Sequence, residues 1–283
     1  MSTNLYRSIS DLKGFSLKNC PSMPDPTGVL MCPPDYYAGG EPARKQWEDL
    51  KSTFETAGKP VSLIQPSEGL GDMVFCANQA LVGLTPQMER LCIPSQMRHS
   101  SRRHEVPAFE AWFGAQGYRV LRLKDSALLF EGSRDAVWHP GKRLLWGGHG
   151  FLSQVEAYEE VAKAFGSPVI ALKLVNEKFC RLDSCFCPLT SEAVLIYPSA
   201  FDAASLELIL KMFPIVLTAG ETEAGHFMAC NACVLDATTA VLQRGAPNVA
   251  RHMAGMGLRV IEADTSEFIK SGGSVYALKM FIY

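Results

Sequence analysis

Acidic residues sit at the ends of several short apolar runs. Asp72 opens Met73-Val74-Phe75 and Asn78 closes it. Glu131 and Asp135 follow the run ending at Phe130, and Asp183 stands just before Ser184-Cys185-Phe186. Two carboxylates leaving one buried strand are more than a sheet needs. Gathered at the mouth of a fold, such groups suit a planar cation, which they hold with paired, charge-assisted hydrogen bonds. Arg102, within Arg102-Arg103-His104-Glu105, offers the matching fork for a ligand carboxylate. Plainer readings stand beside these. Asp and Asn flank strands as turn residues, and the Arg102–Glu105 stretch also reads as a solvated patch that ends at a helix N-terminus. Cys180 neighbours Arg181, whose charge would favour a thiolate. Strand alternation, however, sends adjacent side chains to opposite faces.

The elements that must position these residues recur. Helices are expected over Pro42–Ala57, Val106–Gln116, Gln154–Phe165, Ala203–Met212 and Asn248–Met256. Glycine ends several of them. Each is followed by a short apolar strand, at Pro60–Ile64, Tyr118–Leu121, Pro168–Leu172, Ile215–Leu217 and Leu258–Ile261, and then by further short runs. Those further runs are Met73–Phe75 and Gln79–Val82, Ala127–Phe130 and Ala136–Trp138, Ser184–Phe186 and Ala193–Ile196, Phe227–Cys230 and Thr239–Leu242, with a terminal strand at Val275. Five units of similar length indicate a repeat architecture. A first strand at Val29–Met31 that paired with the last unit would close it and remove exposed edges. No linker divides residues 27–283, which read as one domain. Residues 1–26, polar and holding Pro21, Pro24 and Pro26, read as an extension with a disordered lead.

Composition narrows the function. The chain has 283 residues, 47% hydrophobic and 20% charged, enough for a substantial core, and its formal net charge is -2. No basic excess is available to neutralise phosphates, so neither nucleic acid nor a membrane surface is an expected partner. Nine Cys residues, with one lone Cys230/Cys233 C-x-x-C, read as reduced thiols in a cytoplasmic protein, with zinc the weaker alternative. No signal peptide or membrane span is expected, and no cofactor is called for.

Several motifs resemble those of the guanidino-group-modifying enzymes, which include arginine deiminase, dimethylarginine dimethylaminohydrolase and amidinotransferase. The resemblance covers nearly all of the chain after residue 27 and is nearest to the bacterial dimethylarginine-hydrolase-like and arginine-dihydrolase-like branch. Asp72-Met73-Val74-Phe75-Cys76-Ala77-Asn78 matches Asp-Met-Val-Phe-x-Ala-Asn, and Arg102-Arg103-His104-Glu105 resembles Arg-x-x-Glu. Glu131-Gly132-Ser133-Arg134-Asp135 matches Glu-Gly-x-Gly-Asp, except that Arg134 replaces a glycine. Gly148-His149-Gly150-Phe151-Leu152-Ser153 falls within a Gly-x-Gly-x-Arg-Ser/Thr pattern, with Leu152 in the place of the arginine. Arg181-Leu182-Asp183-Ser184 is similar to His-Leu-Asp-Ser, with Arg181 in place of the histidine. Gly272-Gly273-Ser274-Val275-Tyr276-Ala277 resembles Gly-Gly-x-Val-Arg-Cys, with Tyr276 for Arg and Ala277 for the nucleophilic Cys. The segment usual after Pro33-Pro34 is replaced by Tyr36-Tyr37-Ala38-Gly39-Gly40.

The resemblance implies a fold and a chemistry. The fold is the pentein fold, an α/β protein built as a five-bladed α/β propeller of helix–strand–strand units. The implied chemistry needs a thiolate to attack the guanidino carbon, an imidazole to move protons, and carboxylates to hold the cation. Here the carboxylates remain, while Ala277 cannot attack and Arg181 cannot shuttle a proton. The expected ligand-binding set is Asp72, Asn78, Arg102, Glu131, Asp135 and Asp183, with Arg134, Leu152, Arg181, Tyr276 and Ala277 as altered positions. Arg134 and Arg181 are expected to fill the cavity and pair with its acids. The leading reading is a non-catalytic member that binds a small guanidino or amino-acid-like ligand or a protein partner. An enzyme using a displaced Cys180 is the alternative. A third reading has Ala277 engineered over a natural Cys, which leaves Arg181 unexplained.

Overall fold

The computed structural model describes residues 4–283. Its strands form five separate sheets on one plan, an antiparallel pair whose second strand has a parallel neighbour. Gly28–Met31 lies between Met280–Ile282, antiparallel, and Val61–Leu63, parallel. In the second sheet Arg90–Pro94 lies between Ala80–Leu84 and Arg119–Val120. In the third, Leu145–His149 lies between Ala136–Trp138 and Val169–Lys173. The fourth centres on Ala193–Ile196, between Phe186–Pro188 and Ile215–Thr218. The fifth centres on Thr239–Gln243, between Cys233–Val234 and Arg259–Ala263. Parallel neighbours need a crossover connection, and a helix supplies it every time. These helices are Gly40–Thr56, Val106–Ala115, Ala157–Phe165, Ala203–Met212 and Pro247–Gly255.

The helices stand within a few residues of their expected places because each carries one apolar stripe. On the first, Trp47, Leu50 and Phe54 are buried against Val29 and Met31. On the second, Phe109 and Phe113 are buried with Leu30 and Cys92. The strand at Val29–Met31 pairs with the last strand, as the repeat pattern allowed, with Met280 opposite Leu30.

Four expected strands are corrected. Met73–Phe75 is one turn of helix, Gly71–Val74, followed by another at Cys76–Asn78. Phe227–Cys230 gives way to a turn of helix at Ala229–Asn231. Ala127–Phe130 forms a single bridge, Gln96 to Phe130. Val275 lies in a turn, and the last strand starts at Met280. An apolar run of three or four residues marks burial on all sides, which a tight turn satisfies as well as a strand does. Two central strands were also not foreseen, Arg90–Pro94 and Leu145–His149. Arg90 and the Gly147-Gly148 pair interrupt their apolar signal.

The N-terminal segment is not a loose lead over its described part. Leu5–Tyr6 adds a fourth strand to the third sheet, parallel to Val169–Ile170. Leu5, Leu12, Cys20 and Met23 are buried, and the backbone amides of Met23 and Arg143 donate to Gly141 and Pro21. These four, spaced widely through polar sequence, pack onto the body, whereas Ile9 stays exposed.

All nine cysteines are free thiols. No helix among the described residues is long and apolar enough to cross a membrane.

Candidate functional site

Each sheet's first strand is entered through a tight turn. The turns are Cys76–Asn78, Gly132–Arg134, Leu182–Ser184 and Ala229–Asn231, with residues 275–278 before the last strand. One-turn helices leave most of their backbone groups unpaired, so these turns must bond to one another. They do so around a closed circuit. Arg134 Nη1 donates to Asn78 Oδ1 at 3.4 Å, and Arg134 Nε to Asp183 Oδ2 at 2.5 Å. Asn231 Nδ2 donates to the carbonyl of Asp183 at 3.1 Å. The amides of Ser274 and Ala277 donate to Asn231 Oδ1 at 3.0 and 3.2 Å. Ala77 N then donates to the carbonyl of Ala277 at 3.2 Å, which returns the circuit to its start.

Arg134 is the centre of this arrangement. Its side chain is 2% exposed and that of Asp183 1%. Its third bond runs from Nη2 to the carbonyl of Gly272 at 2.8 Å. Burial pushes the guanidinium pKa down, and Asp183 pulls it back up. Arginine stays charged under these opposing influences, so the pair is ionic. The double glycine makes the third bond reachable. Gly272 has φ of +75°, and a Cβ on Gly273 would lie 2.4 Å from the Phe75 ring.

The other acids are bound internally. Asp135 accepts from Ser153 Oγ at 2.6 Å and from the Leu182 amide at 3.0 Å, which fixes the turn that carries Asp183. Burial raises its pKa from 3.8 to about 7, against the pull of those two bonds. Glu131 accepts from Asn78 Nδ2 at 3.2 Å and from the Arg98 amide at 3.1 Å. Asp72 does not join the cluster. Its side chain is half exposed, and it faces Arg102 Nε at 3.8 Å. Arg102 is itself held by Glu105 at 2.7 Å and by the Asp72 carbonyl at 2.9 Å. Burial raises the Glu105 pKa, while Arg102 and Gln79 oppose that rise.

Arg181 corrects one expectation. It makes no ion pair among the described residues. Its nearest polar partner is Cys180 Sγ, 3.9 Å from Nη1. Its backbone is extended, and the following turn buries Asp183 while Arg181 is half-buried near Gly272, with its Nε buried and without a hydrogen-bond partner. Arg134 alone fills the acid cluster. Cys180 is half-buried, and burial pushes its thiol pKa up more strongly than Arg181 lowers it. Ala277 is fully buried and Leu152 is buried. Tyr276 lies under Lys279, whose Nζ is 3.3 Å from the Tyr276 ring centre and 3.9 Å from that of Phe281.

The sequence reading undervalued Asn231, Ser153 and Lys279. Asn231 lies in a motif, Ala229-Cys230-Asn231-Ala232, that reads as fold-defining. Its offset before a strand, the same as that of Asn78, was the available signal. Nothing local marks Lys279 as buried, yet it is 1% exposed.

No protein-family model matches the chain. A bifunctional arginine dihydrolase/ornithine cyclodeaminase of Synechocystis, ArgZ, is 34% identical over 276 residues, 91% of this chain. The chain spans 38% of that relative's length. A dimethylarginine dimethylaminohydrolase of Mycobacterium tuberculosis is 32% identical over 241 residues, 85% of this chain and 76% of the relative. Among solved structures, the substrate-bound N-terminal domain of ArgZ superposes with a TM-score of 0.84 at 33% identity. It covers 90% of this chain and 97% of the domain. The fold expected from the motifs is therefore that of these proteins.

Proposed function

Since this chain belongs to the pentein family of guanidino-group-modifying enzymes that includes arginine dihydrolases and dimethylarginine dimethylaminohydrolases, we propose that it is a non-catalytic member whose guanidinium-binding acid is satisfied from within. The observation that carries this reading is the buried Arg134–Asp183 pair, with its side chains 2% and 1% exposed. An acid placed to hold a substrate guanidinium holds the chain's own instead. Ala277 offers no nucleophile, and Arg181 offers no group that can give up a proton near neutrality. Leu152, buried, presents no charge to an α-carboxylate. What remains to such a site is binding. The ligand is a guanidino or amino-acid-like molecule that exchanges with Arg134, or a protein partner docks on the rim. A relative's complex with L-arginine supports the first ligand class.

An enzyme using Cys180 is the second reading, favoured by the 3.9 Å contact from Arg181 to its sulfur. The raised thiol pKa weighs against it, because the thiolate is the nucleophile. Steady-state assays at high protein concentration, with arginine, dimethylarginine and agmatine, separate the two. The expected result is no citrulline, ornithine or urea above a heat-killed control. Turnover by the parent protein would overturn the non-catalytic reading, and its loss in Cys180→Ser would establish the second.

A further inference from the structure

Two guanidinium groups flank Gly272, and Asp183 is bonded to one of them. Arg134 Nη2 donates to the Gly272 carbonyl at 2.8 Å, and Arg134 Nε holds Asp183. Arg181 Nη1 lies 3.8 Å from where a Cβ on Gly272 would stand and 3.9 Å from Cys180 Sγ. Arg181 forms no ion pair among the described residues, and its buried Nε has no hydrogen-bond partner. A small cavity of about 120 Å³ opens at this point, lined by Arg181, Cys180 and Gly272 together with Lys178, Ser184 and Gly225. Lys178 brings its charge to the same wall, since its Nζ lies 2.7 Å from where a Cβ on Gly225 would stand. It too forms no ion pair among the described residues.

The charge balance selects the occupant. No Asp or Glu lines the cavity. The acids around it are engaged or exposed. Asp183 pairs with Arg134, Glu223 accepts from the amides of Asn248 and Val249, Glu267 pairs with Lys270, and Glu177 is exposed. Burial pushes the Cys180 thiol pKa up, so it adds no negative charge near neutrality. Two cations without a counter-charge call for an anion. The cavity is smaller than the roughly 300–1,000 Å³ that encloses a drug-sized ligand, so the group it takes is compact. A carboxylate answers one cation, whereas a doubly charged oxyanion answers both, and a guanidinium fork beside an ammonium is a common setting for phosphate. We propose that this cavity binds a phosphate group between Arg181 and Lys178, as the free ion or as the end of a monoester. The site is separate from the one Arg134 fills, because neither Arg134 nor Asp183 lines it. Occupancy would neutralise the second guanidinium at Gly272 and so relieve the repulsion between Arg181 and Arg134.

The test uses the full chain, dialysed free of phosphate, with inorganic phosphate, methyl phosphate and acetate titrated calorimetrically at one ionic strength. Phosphate should bind saturably and at least about tenfold tighter than acetate, the size expected of one added charge-assisted contact. Lys178 is exposed, so Lys178→Gln should melt like the parent without phosphate and bind it about tenfold more weakly. Arg181→Gln should weaken binding at least as much, and where it also lowers stability the Lys178 variant decides. Lys270→Gln makes the same change of net charge outside the cavity and should leave the affinity within about twofold. Methyl phosphate binding as phosphate does would support a monoester as ligand, and its exclusion would support the free ion. Absence of saturable phosphate binding, equal affinity for acetate, an unchanged affinity in Lys178→Gln, or an equal loss in Lys270→Gln would each overturn the proposal.

Discussion

Arg134 and Asp183 meet through Nε and Oδ2 at 2.5 Å, at a point where neither side chain is more than 2% exposed. Each comes from the tight turn before a different sheet. The bond thus joins two repeats as well as two charges. Removing one member of a buried pair leaves the other charged and unsolvated, which costs more than the pair contributes.

Arg134→Ala should therefore destabilise the protein by about 3–5 kcal/mol, the range for orphaning one side of a buried ion pair. Arg134→Met combined with Asp183→Leu should cost much less, since no charge is stranded. Millimolar arginine or guanidinium should raise the melting temperature of Arg134→Ala by more than that of the parent, where the ligand must first exchange with Arg134. Chemical denaturation and thermal melts check both statements. An Arg134→Ala variant that melts like the parent would show that the pair has no structural role.

Restoring the two missing catalytic groups should not restore chemistry by itself. Ala277→Cys with Arg181→His supplies a thiol and an imidazole, but Arg134 still occupies Asp183. The double variant is expected to give no citrulline from arginine. Adding Arg134→Gly, which restores the glycine of the resembled motif, should bring measurable turnover. Activity in the double variant would mean that substrate displaces Arg134 without help.

Asp135 sets a pH dependence. Its pKa is raised in the fold from 3.8 to about 7, so between those values the folded state binds more protons than the unfolded chain. Stability from this group is present in full below pH 4 and is lost as the pH rises through 7. Asp135→Asn should flatten this slope between pH 4 and 7 in urea titrations. A slope unchanged in Asp135→Asn would assign it to other groups.

Lys279 acts at the alkaline end. Burial lowers its pKa from 10.5 to about 8, so the unfolded chain binds the extra proton between those values and stability rises with pH across that window. The two aromatic faces return part of the cost, about 0.5–2 kcal/mol by the usual strength of such contacts. Lys279→Met is expected to melt higher than the parent at pH 7, with the gain shrinking by pH 10. A lower melting point at pH 7 would show that the ring contacts outweigh desolvation.

Much of the architecture was legible because five helices repeat one apolar stripe and four of them end near glycine. The strand at Val29–Met31 could be assigned a distant partner on the need to cover an edge alone. The site was less legible. Asp183 and Arg134 stood out as motif positions, but Arg134 and Arg181 look alike in sequence, and only the turn geometry separates the buried one from the rim. Asp72 opens an apolar run and sits in a one-turn helix just as Asp183 does, yet lies half exposed beside Arg102. Runs of three apolar residues carried no information on strand against turn, and those were the places where the site residues sit.

The first sheet is assembled from both ends of the chain, with Met280 opposite Leu30 and Leu30 opposite Ser62. During synthesis, Gly28–Met31 and Val61–Leu63 emerge early and can pair with each other, but one edge stays bare until Met280–Ile282 leaves the ribosome. The circuit of turns also lacks its Ala277 link until then. The late sheet makes contacts of the greatest sequence separation, which form slowly. A chain truncated after Lys279 should accordingly hold four finished sheets and an open, aggregation-prone edge, which makes the last strand the step that commits the molecule to its native state.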